Sequence, residues 1–242
     1  MLLCWASNVC PQTRGALIEC PVPGGLVIAH TGYTLSYNLR THCPVWVAWE
    51  LTGEEAGSSK VKRSDCFRGD PAVRHAHRVE PYDYKESGFD RGHMCPSGDM
   101  KWSADAMSEC FLMTNICPQT PVLNQQWWEH LERACRRWAA QEGSVYICCG
   151  PIYDNDRQPR YIGDGVKVRV PDGFFKVVLS LRKGHEKAIG FIYRNTDERQ
   201  TMEAAATTVD EVERVTGLDF FSAVEDQMEA KVEGSFNLRK WN

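Results

Sequence analysis

The sequence SGFDRGHMCPSGD, residues 87–99, decides how the rest of the chain is interpreted. It places three ionisable side chains within four residues, at Asp90, Arg91 and His93, and then closes with a proline, a glycine and a further acid. Glycine and proline both disfavour a helix interior, and buried charges need partners, which argues against a buried strand. The stretch therefore predicts a strand end that runs into a tight polar turn, where a functional site uses the charges.

A second polar segment follows at residues 111–136, FLMTNICPQTPVLNQQWWEHLERACR. It carries Asn115, Gln119, Asn124, Trp128 and Glu132 at definite intervals behind the first motif. A single arginine is usually a solvated surface charge, and a single histidine is more often structural than catalytic. The tetrapeptide DRGH alone would therefore favour a structural explanation, whereas the two segments together favour a functional site.

Together the two segments resemble the DNA/RNA non-specific endonucleases, the ββα-metal nucleases that include the endonuclease G-like enzymes. Residues 90–93 match the DRGH signature of that family without a gap. The downstream family pattern is matched by Thr114-Asn115, Pro118-Gln119, Asn124, Trp128 and Leu131-Glu132. With weaker similarities in both halves, the resemblance extends from residue 34 to residue 221. It implies an α+β fold, the ββα-metal nuclease fold, with a central antiparallel β-sheet flanked by helices.

The composition is ordinary for a soluble globular protein, with 43% hydrophobic and 25% charged residues among 242. No apolar run approaches the ~18 residues that a membrane helix needs. Because no linker divides the chain, we predict one DNA/RNA non-specific endonuclease domain at residues 34–242. An irregular segment that disulfides could tie down is predicted at residues 1–33.

The net charge of −4 is unusual for a nucleic-acid enzyme, since binders that ignore sequence usually carry a basic surface. The charge is unevenly distributed: residues 210–233 are rich in Asp and Glu, whereas residues 60–78 contain six Lys and Arg. The basic segment is the better candidate for the surface that approaches nucleic acid, and a merely solvated face is an equally weighted alternative.

The eleven cysteines are numerous and odd in number. One interpretation is an exported protein with several disulfides and at least one free thiol. Cys4 and Cys10, with Cys20 or Cys43, lie in or near the Gly/Pro-rich start that disulfides could hold. No complete signal peptide is visible, because the first residues are too short for its apolar region. We expect a secreted or periplasmic protein, with an organellar or cytoplasmic location left open.

Hydrophobic periodicity predicts alternating strands and helices. Strands are predicted at residues 34–38, 44–51, 111–113, 144–149, 166–170, 173–181 and 188–194. Helices are predicted at residues 103–110 with Ser103 as N-cap, at residues 124–141, and at residues 208–216 ended by Gly217. Residues 53–59 are predicted to be a turn or surface loop, and residues 154–165 a polar loop.

Phosphodiester hydrolysis at neutral pH requires deprotonation of water and stabilisation of charge on the phosphate and the leaving oxygen. Histidine suits the first role, because its ordinary pKa of ~6.5 leaves it largely neutral. A hard divalent cation suits the others, and Mg²⁺ keeps several waters, so one protein amide oxygen can suffice. By resemblance, His93 is the general base and Asn124 is the ligand of Mg²⁺, of Mn²⁺ or of another divalent cation. For Asn124, a plain N-terminal helix cap is the alternative.

The remaining charged residues are assigned to supporting roles. Glu132 lies ~12 Å along a helix from Asn124, so we expect it to act through a water on the metal or to orient Arg91 or Arg136. Arg91, Arg136 and, on weaker spacing, Arg63 are candidates for stabilising the phosphate, because guanidinium groups suit that contact.

Three further polar residues are expected to support the site or the substrate: Asp90, Asn115 and Gln119. Asp90 is assigned to holding the turn or orienting His93. Asn115 either supports the site or satisfies loop backbone, with neither option preferred.

Contacts to phosphate carry little information about bases, so we expect cleavage of both DNA and RNA with weak sequence preference. The alternatives are a catalytically inactive nucleic-acid-binding module of the same fold and a phosphodiesterase acting on small nucleotides. A Cys/His enzyme or zinc module is disfavoured, because the sequence contains no C-x-x-C pair. The resemblance leaves a homodimer open, since relatives often form dimers, and it identifies no inhibitor protein.

Overall fold

The computed structural model describes residues 25–241. Within that range the strands are β1 (Leu26–Ala29), β2 (Thr34–Asn38), β3 (Cys43–Thr52), β4 (Asp90–His93), β5 (Ile116–Gln119), β6 (Ser144–Ile152), β7 (Tyr161–Ile162), β8 (Val168–Arg169), β9 (Gly173–Ser180), β10 (Lys187–Arg194) and β11 (Ala206–Thr207). The α-helices are α1 (Gly53–Ala56), α2 (Ala104–Glu109), α3 (Glu129–Glu142), α4 (Met202–Ala205), α5 (Val209–Thr216) and α6 (Asp226–Glu233).

The largest element is a seven-stranded antiparallel sheet with the strand order β1-β2-β3-β6-β9-β10-β11. The inner strand β9 is buried at every position, because helices cover both faces of the sheet. Successive side chains of a strand point to opposite faces, so Phe174 and Val178 join the core under α3, whereas Phe175 and Val177 join a second core under α5 and α6. This arrangement matches the predicted α+β class.

The DRGH residues form a strand of their own rather than only the end of one. Residues 90–93 are β4, which pairs antiparallel with β5 in a separate two-stranded sheet. Pairing with β5 satisfies the backbone of β4, while Arg91 remains exposed to solvent, so its charge needs no buried partner. The expected polar turn follows as a short 3-10 helix, Ser97–Asp99.

The helix predicted at residues 124–141 is present but begins with a π-helical turn, Leu123–Trp128, that continues into α3. Its apolar face, including Leu131, Cys135 and Trp138, is buried against the sheet, as the three- and four-residue spacing predicts. A π-turn is rare and frequently lies at a functional site, and the periodicity gave no sign of it.

Most other predicted elements are confirmed with small shifts in their ends. Helix α2 is capped by Ser103, whose Oγ accepts from Ala106 N at 3.4 Å, and α5 ends at Gly217, which has φ +70°. The strand predicted at residues 111–113 is wrong: Leu112 makes only an isolated bridge with Arg68, and a 3-10 turn, Met113–Asn115, begins at the next residue. Strand β6 passes through Gly150 and Pro151, since both pair with β9.

The loop predicted at residues 53–59 is wrong in its first part. Residues 53–56 form α1, because Thr52 and Glu55 cap each other: Thr52 Oγ1 accepts from Glu55 N at 3.2 Å, and Glu55 Oε2 accepts from Thr52 N at 3.1 Å. The polar loop predicted at residues 154–165 likewise contains β7, which pairs with β8.

The segment expected to be irregular, residues 1–33, contains β1, which pairs with β2 at the edge of the large sheet. Cys4, Cys10 and Cys20 lie outside the described residues, and Cys43 is a buried free thiol. The division into a leading segment and one nuclease domain stays a prediction. No helix within residues 25–241 is long and apolar enough to span a membrane.

Candidate active site

Asp90 holds the amide of Asn124 in one orientation. Its Oδ2 accepts from Asn124 Nδ2 at 2.9 Å and from Gln125 Nε2 at 2.8 Å. Because a carboxylate can only accept hydrogen bonds, the amino group of Asn124 must face Asp90, and its Oδ1 is left for another partner. Asp90 therefore contacts Asn124. Its predicted alternative role was to orient His93, and the structure shows Asp90 orienting Asn124 instead.

Asn124 lies within the helix rather than at its cap. It is the second residue of the π-turn, and its backbone N donates to Thr120 O at 2.9 Å. Its side chain bonds Asp90 across to β4 instead of capping a free backbone N–H. The capping alternative is therefore wrong, and the side chain is directed towards the neighbouring strand.

A second hydrogen bond ties the same helix to the other end of β4. Trp128 Nε1 donates to the carbonyl oxygen of His93 at 3.2 Å. Together with the bond between Asp90 and Asn124, this fixes the π-turn along the full length of β4. The strand that carries His93 and the turn that carries Asn124 are thus joined at two points.

The His93 ring lies in a box of two aromatic rings and two arginines. It contacts Phe67, with ring centroids 5.3 Å apart, and Phe111 edge-on, at 4.9 Å. The guanidinium of Arg91 lies 4.2 Å from the centre of the Phe67 ring, and that of Arg63 lies 5.0 Å from the centre of the Phe111 ring. This box orients the imidazole by packing rather than by a hydrogen-bonded carboxylate.

The same surroundings hold His93 in its neutral form. Burial of the ring and the positive charges of Arg63 and Arg91 lower its pKa to about 3, with Asp65 acting in the opposite sense. Only 8% of the residue is exposed, and Nε2 has no hydrogen-bond partner among residues 25–241. A neutral imidazole with an unpartnered ring nitrogen can accept a proton from a molecule that enters the site.

A cleft of about 610 Å³ opens beside these residues. Two arginines reach it: Arg91, which is exposed, and Arg63, whose Nη1 donates to Ser97 Oγ and whose Nε donates to Asp65 Oδ1, both at 2.7 Å. Arg63, which was predicted from a weak sequence match, thus lines the same cleft as Arg91. The lining side chains are charged or aromatic for the most part: Arg63, Asp65, Phe67, Pro81, Tyr82, Tyr84, Lys85, Phe89, Asp90, Arg91 and Asn124.

Arg136 has a different position from the two cleft arginines. Its Nη1 donates to Asp99 Oδ1 at 2.8 Å, and Trp49 Nε1 donates to the other oxygen of that carboxylate at 3.1 Å. Asp99 is fully buried, so its charge requires these partners. The structure places Arg136 as the counter-ion of Asp99. Among residues 25–241, neither Arg136 nor His93 is one of the side chains that line the cleft.

Glu132 belongs to this buried charge group rather than to Arg91. Burial raises its pKa to about 7, while Lys176 and Arg136 act in the opposite sense. Lys176 is fully buried on β9, and its Nζ lies 4.4 Å from the centre of the Trp128 ring. Lys176 and Asp99 were missed as site residues, although a lysine in the apolar run FFKVVL was a visible signal.

Asn115 forms hydrogen bonds with backbone groups of the surrounding loop, which was one of the two roles predicted for it. Its Nδ2 donates to Cys95 O and to Cys110 O, both at 2.8 Å, and its Oδ1 accepts from Cys95 N at 2.9 Å. The buried amide of Asn115 thus joins the backbone that follows His93, at Cys95, to the end of α2, at Cys110. Asn115 positions the chain and does not face the cleft.

Gln119 explains the glycine of the DRGH motif. It pairs with Asp90 across β4 and β5, and its side chain lies over Gly92. A Cβ at position 92 would lie 2.5 Å from Gln119 Cγ and closer still to its amide, so no larger residue fits. Both amide atoms of Gln119 are buried without a hydrogen-bond partner in the described part of the chain.

Comparison with known proteins identifies the family of the chain. The model of the DNA/RNA non-specific endonuclease family matches residues 15–227. Human mitochondrial endonuclease G is 34% identical over 221 residues, which cover 85% of this chain and 73% of that protein. The mitochondrial nuclease 1 of Schizosaccharomyces pombe is 34% identical over 209 residues, which cover 80% of this chain and 65% of that protein.

A solved structure shares the fold. The crystal structure described as the EndoG/EndoGI complex, on the mechanism of EndoG inhibition, superposes with a TM-score of 0.77 and 30% identity. The match covers 85% of this chain and 90% of that one.

The expectation of a secreted or periplasmic protein is wrong. The relatives from human and fission yeast are both named as mitochondrial nucleases, which points to an organellar location. The cysteine count misled, because buried thiols such as Cys95, Cys117 and Cys149 are free and serve as core residues.

Proposed function

Since this chain belongs to the DNA/RNA non-specific endonuclease family and is an endonuclease, we propose that it hydrolyses both DNA and RNA with the help of a divalent cation at Asn124. The observation that carries this proposal is the bond from Asn124 Nδ2 to Asp90. It leaves a neutral amide oxygen available beside the strand that holds His93.

The residues at this point fit a hydrated Mg²⁺ or a similar hard cation. Asn124 would provide its oxygen ligand, and Asp90 would act as the outer partner that fixes that ligand, an arrangement common at metal sites. Mg²⁺ accepts few protein ligands because it keeps several waters. When bound, such a cation supplies stabilisation of negative charge on the phosphate and on the leaving oxygen.

His93 is proposed as the general base. Its neutral imidazole would take a proton from the water molecule whose oxygen attacks phosphorus. The low pKa of about 3 belongs to the protein without substrate. A bound phosphate would offset the charges of Arg63 and Arg91, and this would raise the pKa of His93 towards the value that suits a base at neutral pH.

Arg63 and Arg91 are proposed as the phosphate contacts, because both reach the cleft. Recognition of phosphate alone would not distinguish DNA from RNA or one sequence from another. Arg136 is paired with Asp99. We therefore propose that Arg136 and Glu132 fix the position of α3 next to the site, and that Glu132 helps to orient Arg136.

Cleavage of supercoiled plasmid and of a folded RNA, each with MgCl₂ or with EDTA, tests the proposal. We expect both polymers to be cut with MgCl₂ and neither with EDTA. Cleavage of only one polymer would contradict the breadth of substrate, and full activity in EDTA would contradict the metal dependence. Faster turnover of a small nucleotide diester than of either polymer would favour the phosphodiesterase alternative.

The role of His93 is tested by His93→Ala, which should lose nearly all turnover and still bind DNA in a gel-shift assay. The matched control is His75→Ala, the same change at an exposed histidine, which should keep the wild-type rate. A wild-type rate in His93→Ala would remove His93 from the mechanism.

A further inference from the structure

Three acidic residues meet on the face of the large sheet opposite to the cleft. Helices α5 and α6 pack there through Val209, Val212 and Val232. Asp210 and Glu213 lie three residues apart on α5 and so share one side of that helix, and Glu233 is the last residue of α6. One carboxylate oxygen from each of the three lies within 4.8 Å of the others.

Glu233 adds a second, independent observation. Only 7% of it is exposed, and its Oε1 is buried without a hydrogen-bond partner among the described residues. Glu213 is oriented by its own contact, since its Oε1 accepts from Phe220 N at 2.8 Å. A buried carboxylate without a partner is costly, so a ligand that satisfies Glu233 would be bound favourably.

The protein provides no cation of its own for this cluster. Within residues 25–241, no ion pair involves Asp210, Glu213 or Glu233; the nearby cations are used elsewhere, Lys231 by Glu186 and Arg214 by Glu211. Burial together with the neighbouring carboxylates raises the pKa of Glu233 to about 8. No side chain of this region therefore compensates the cluster, and a cation that binds would displace the proton that Glu233 holds at neutral pH.

We infer that Asp210, Glu213 and Glu233 form a binding site for a divalent cation of the size of Ca²⁺, separate from the site at Asn124. Ca²⁺ takes carboxylate oxygens at 2.3–2.6 Å, so two ligands on opposite sides of it are separated by about 4.6–5.2 Å. Three oxygens at the 4.8 Å limit lie about 2.8 Å from a common centre, so small rotations of the side chains, without movement of the helices, would bring all three into contact with one such ion. Asp210 is exposed, which leaves room for the waters that complete the coordination.

The bound cation would join α6 to α5 and hence to β10, against which both helices pack. Its role is structural, because the sheet separates it from the cleft. Occupancy would replace the repulsion among the three carboxylates by attraction to a common charge, so the folded chain should become more stable when Ca²⁺ is present.

Thermal unfolding of the full chain, stripped with EDTA and then titrated with CaCl₂ in the absence of nucleic acid, tests this site. At about a hundredfold excess over the dissociation constant, the melting temperature should rise by about 5–10 °C. The rise should persist in Asn124→Ala, which alters the site in the cleft, and in Glu211→Gln, which removes one acidic charge from α5 outside the cluster. It should vanish in Glu233→Gln and in Asp210→Asn.

The readout is the difference between the CaCl₂ and EDTA conditions, so a change in the basal stability of a variant does not obscure it. Isothermal titration calorimetry should give one Ca²⁺ per chain in Asn124→Ala and none in Asn124→Ala/Glu233→Gln. An unchanged wild-type melting temperature would overturn the inference. So would a rise that Asn124→Ala loses and Glu233→Gln keeps, or an equal rise with MgCl₂, which would refute the assigned size.

Discussion

Replacing Asp90 by alanine should raise the Mg²⁺ concentration that cleavage requires. The substitution removes the oxygen that accepts from Asn124 Nδ2 at 2.9 Å and from Gln125 Nε2 at 2.8 Å. Without that acceptor, the Asn124 amide can turn its amino group towards the cleft, and an amino group cannot bind a cation. The variant should therefore populate a reversed orientation of the amide that we propose as the cation ligand.

The size of the shift in Mg²⁺ requirement can be estimated from the role of Asp90 as the partner that holds Asn124. Loss of an outer partner of a metal ligand typically costs about 10–100-fold in affinity or activity, which corresponds to about 1.4–2.8 kcal/mol. Asp90→Asn retains an acceptor oxygen and loses only the charge. Since a charge-assisted hydrogen bond is roughly twice as strong as a neutral one, we expect the effect of Asp90→Asn to be smaller than that of Asp90→Ala.

The assay is the rate of supercoiled plasmid cleavage as a function of MgCl₂ concentration. Asp90→Ala should shift the half-maximal concentration upwards by about 10–100-fold, with the rate approaching that of wild type at saturation. Gln125→Ala removes the other donor to the same oxygen and serves as the control, with little expected change. An unchanged Mg²⁺ requirement with a reduced maximal rate would refute the action of Asp90 through Asn124.

Three further outcomes are expected. Gly92→Ala should cost about 1–3 kcal/mol in urea denaturation, because its Cβ would overlap the buried Gln119; an equal cost in a Gln119→Ala background would refute the overlap. The depressed pKa of His93, about 3, means that its contribution to stability is present above the unfolded pKa of ~6.5 and is lost as pH falls. Wild type should lose up to about 1.4 kcal/mol per pH unit more than His93→Gln between these values, and parallel stability curves would exclude this linkage. Because burial raises the pKa of Glu132 to about 7, ionising it opposes folding progressively above pH ~4.5. Glu132→Gln should therefore be about 1–3 kcal/mol more stable than wild type at pH 8 and no more stable at pH 4, and equal stability at pH 8 would contradict the cost of the buried charge.

The sequence could predict those parts of the site that lie within one short stretch. Asp90, Gly92 and His93 are consecutive or nearly so, and the periodicity of α3 is a local signal. Asn124 is selected by its match to the family pattern, because its position near the start of a helix by itself favoured a cap. These features depend on neighbours in the chain, and sequence patterns record such neighbours directly.

The side chains whose partners could not be predicted meet residues far along the chain. Arg136 was assigned to phosphate, but it pairs with Asp99, 37 residues away. Lys176 reaches the same charge group from β9, an inner strand of the sheet. No spacing rule brings these residues together, because their meeting depends on how β9 and α3 pack. Arg63, which had the weakest sequence match, lines the cleft, and its partner Ser97 is likewise distant in sequence, 34 residues away.

The π-turn at residues 123–128 gives the Asn124 side chain a direction that regular α-helical winding from α3 would not give. An α-helix advances about 100° per residue, so deleting one residue from this turn would restore ordinary helical winding and swing everything before it by roughly that angle. The buried residues of α3, such as Trp138, would stay packed against the sheet, while Asn124 would point away from Asp90. We therefore expect a single-codon deletion in this turn to displace the amide that we propose as the cation ligand while the buried face of α3 stays in place, so the length of the turn matters to the proposed site as much as the asparagine itself.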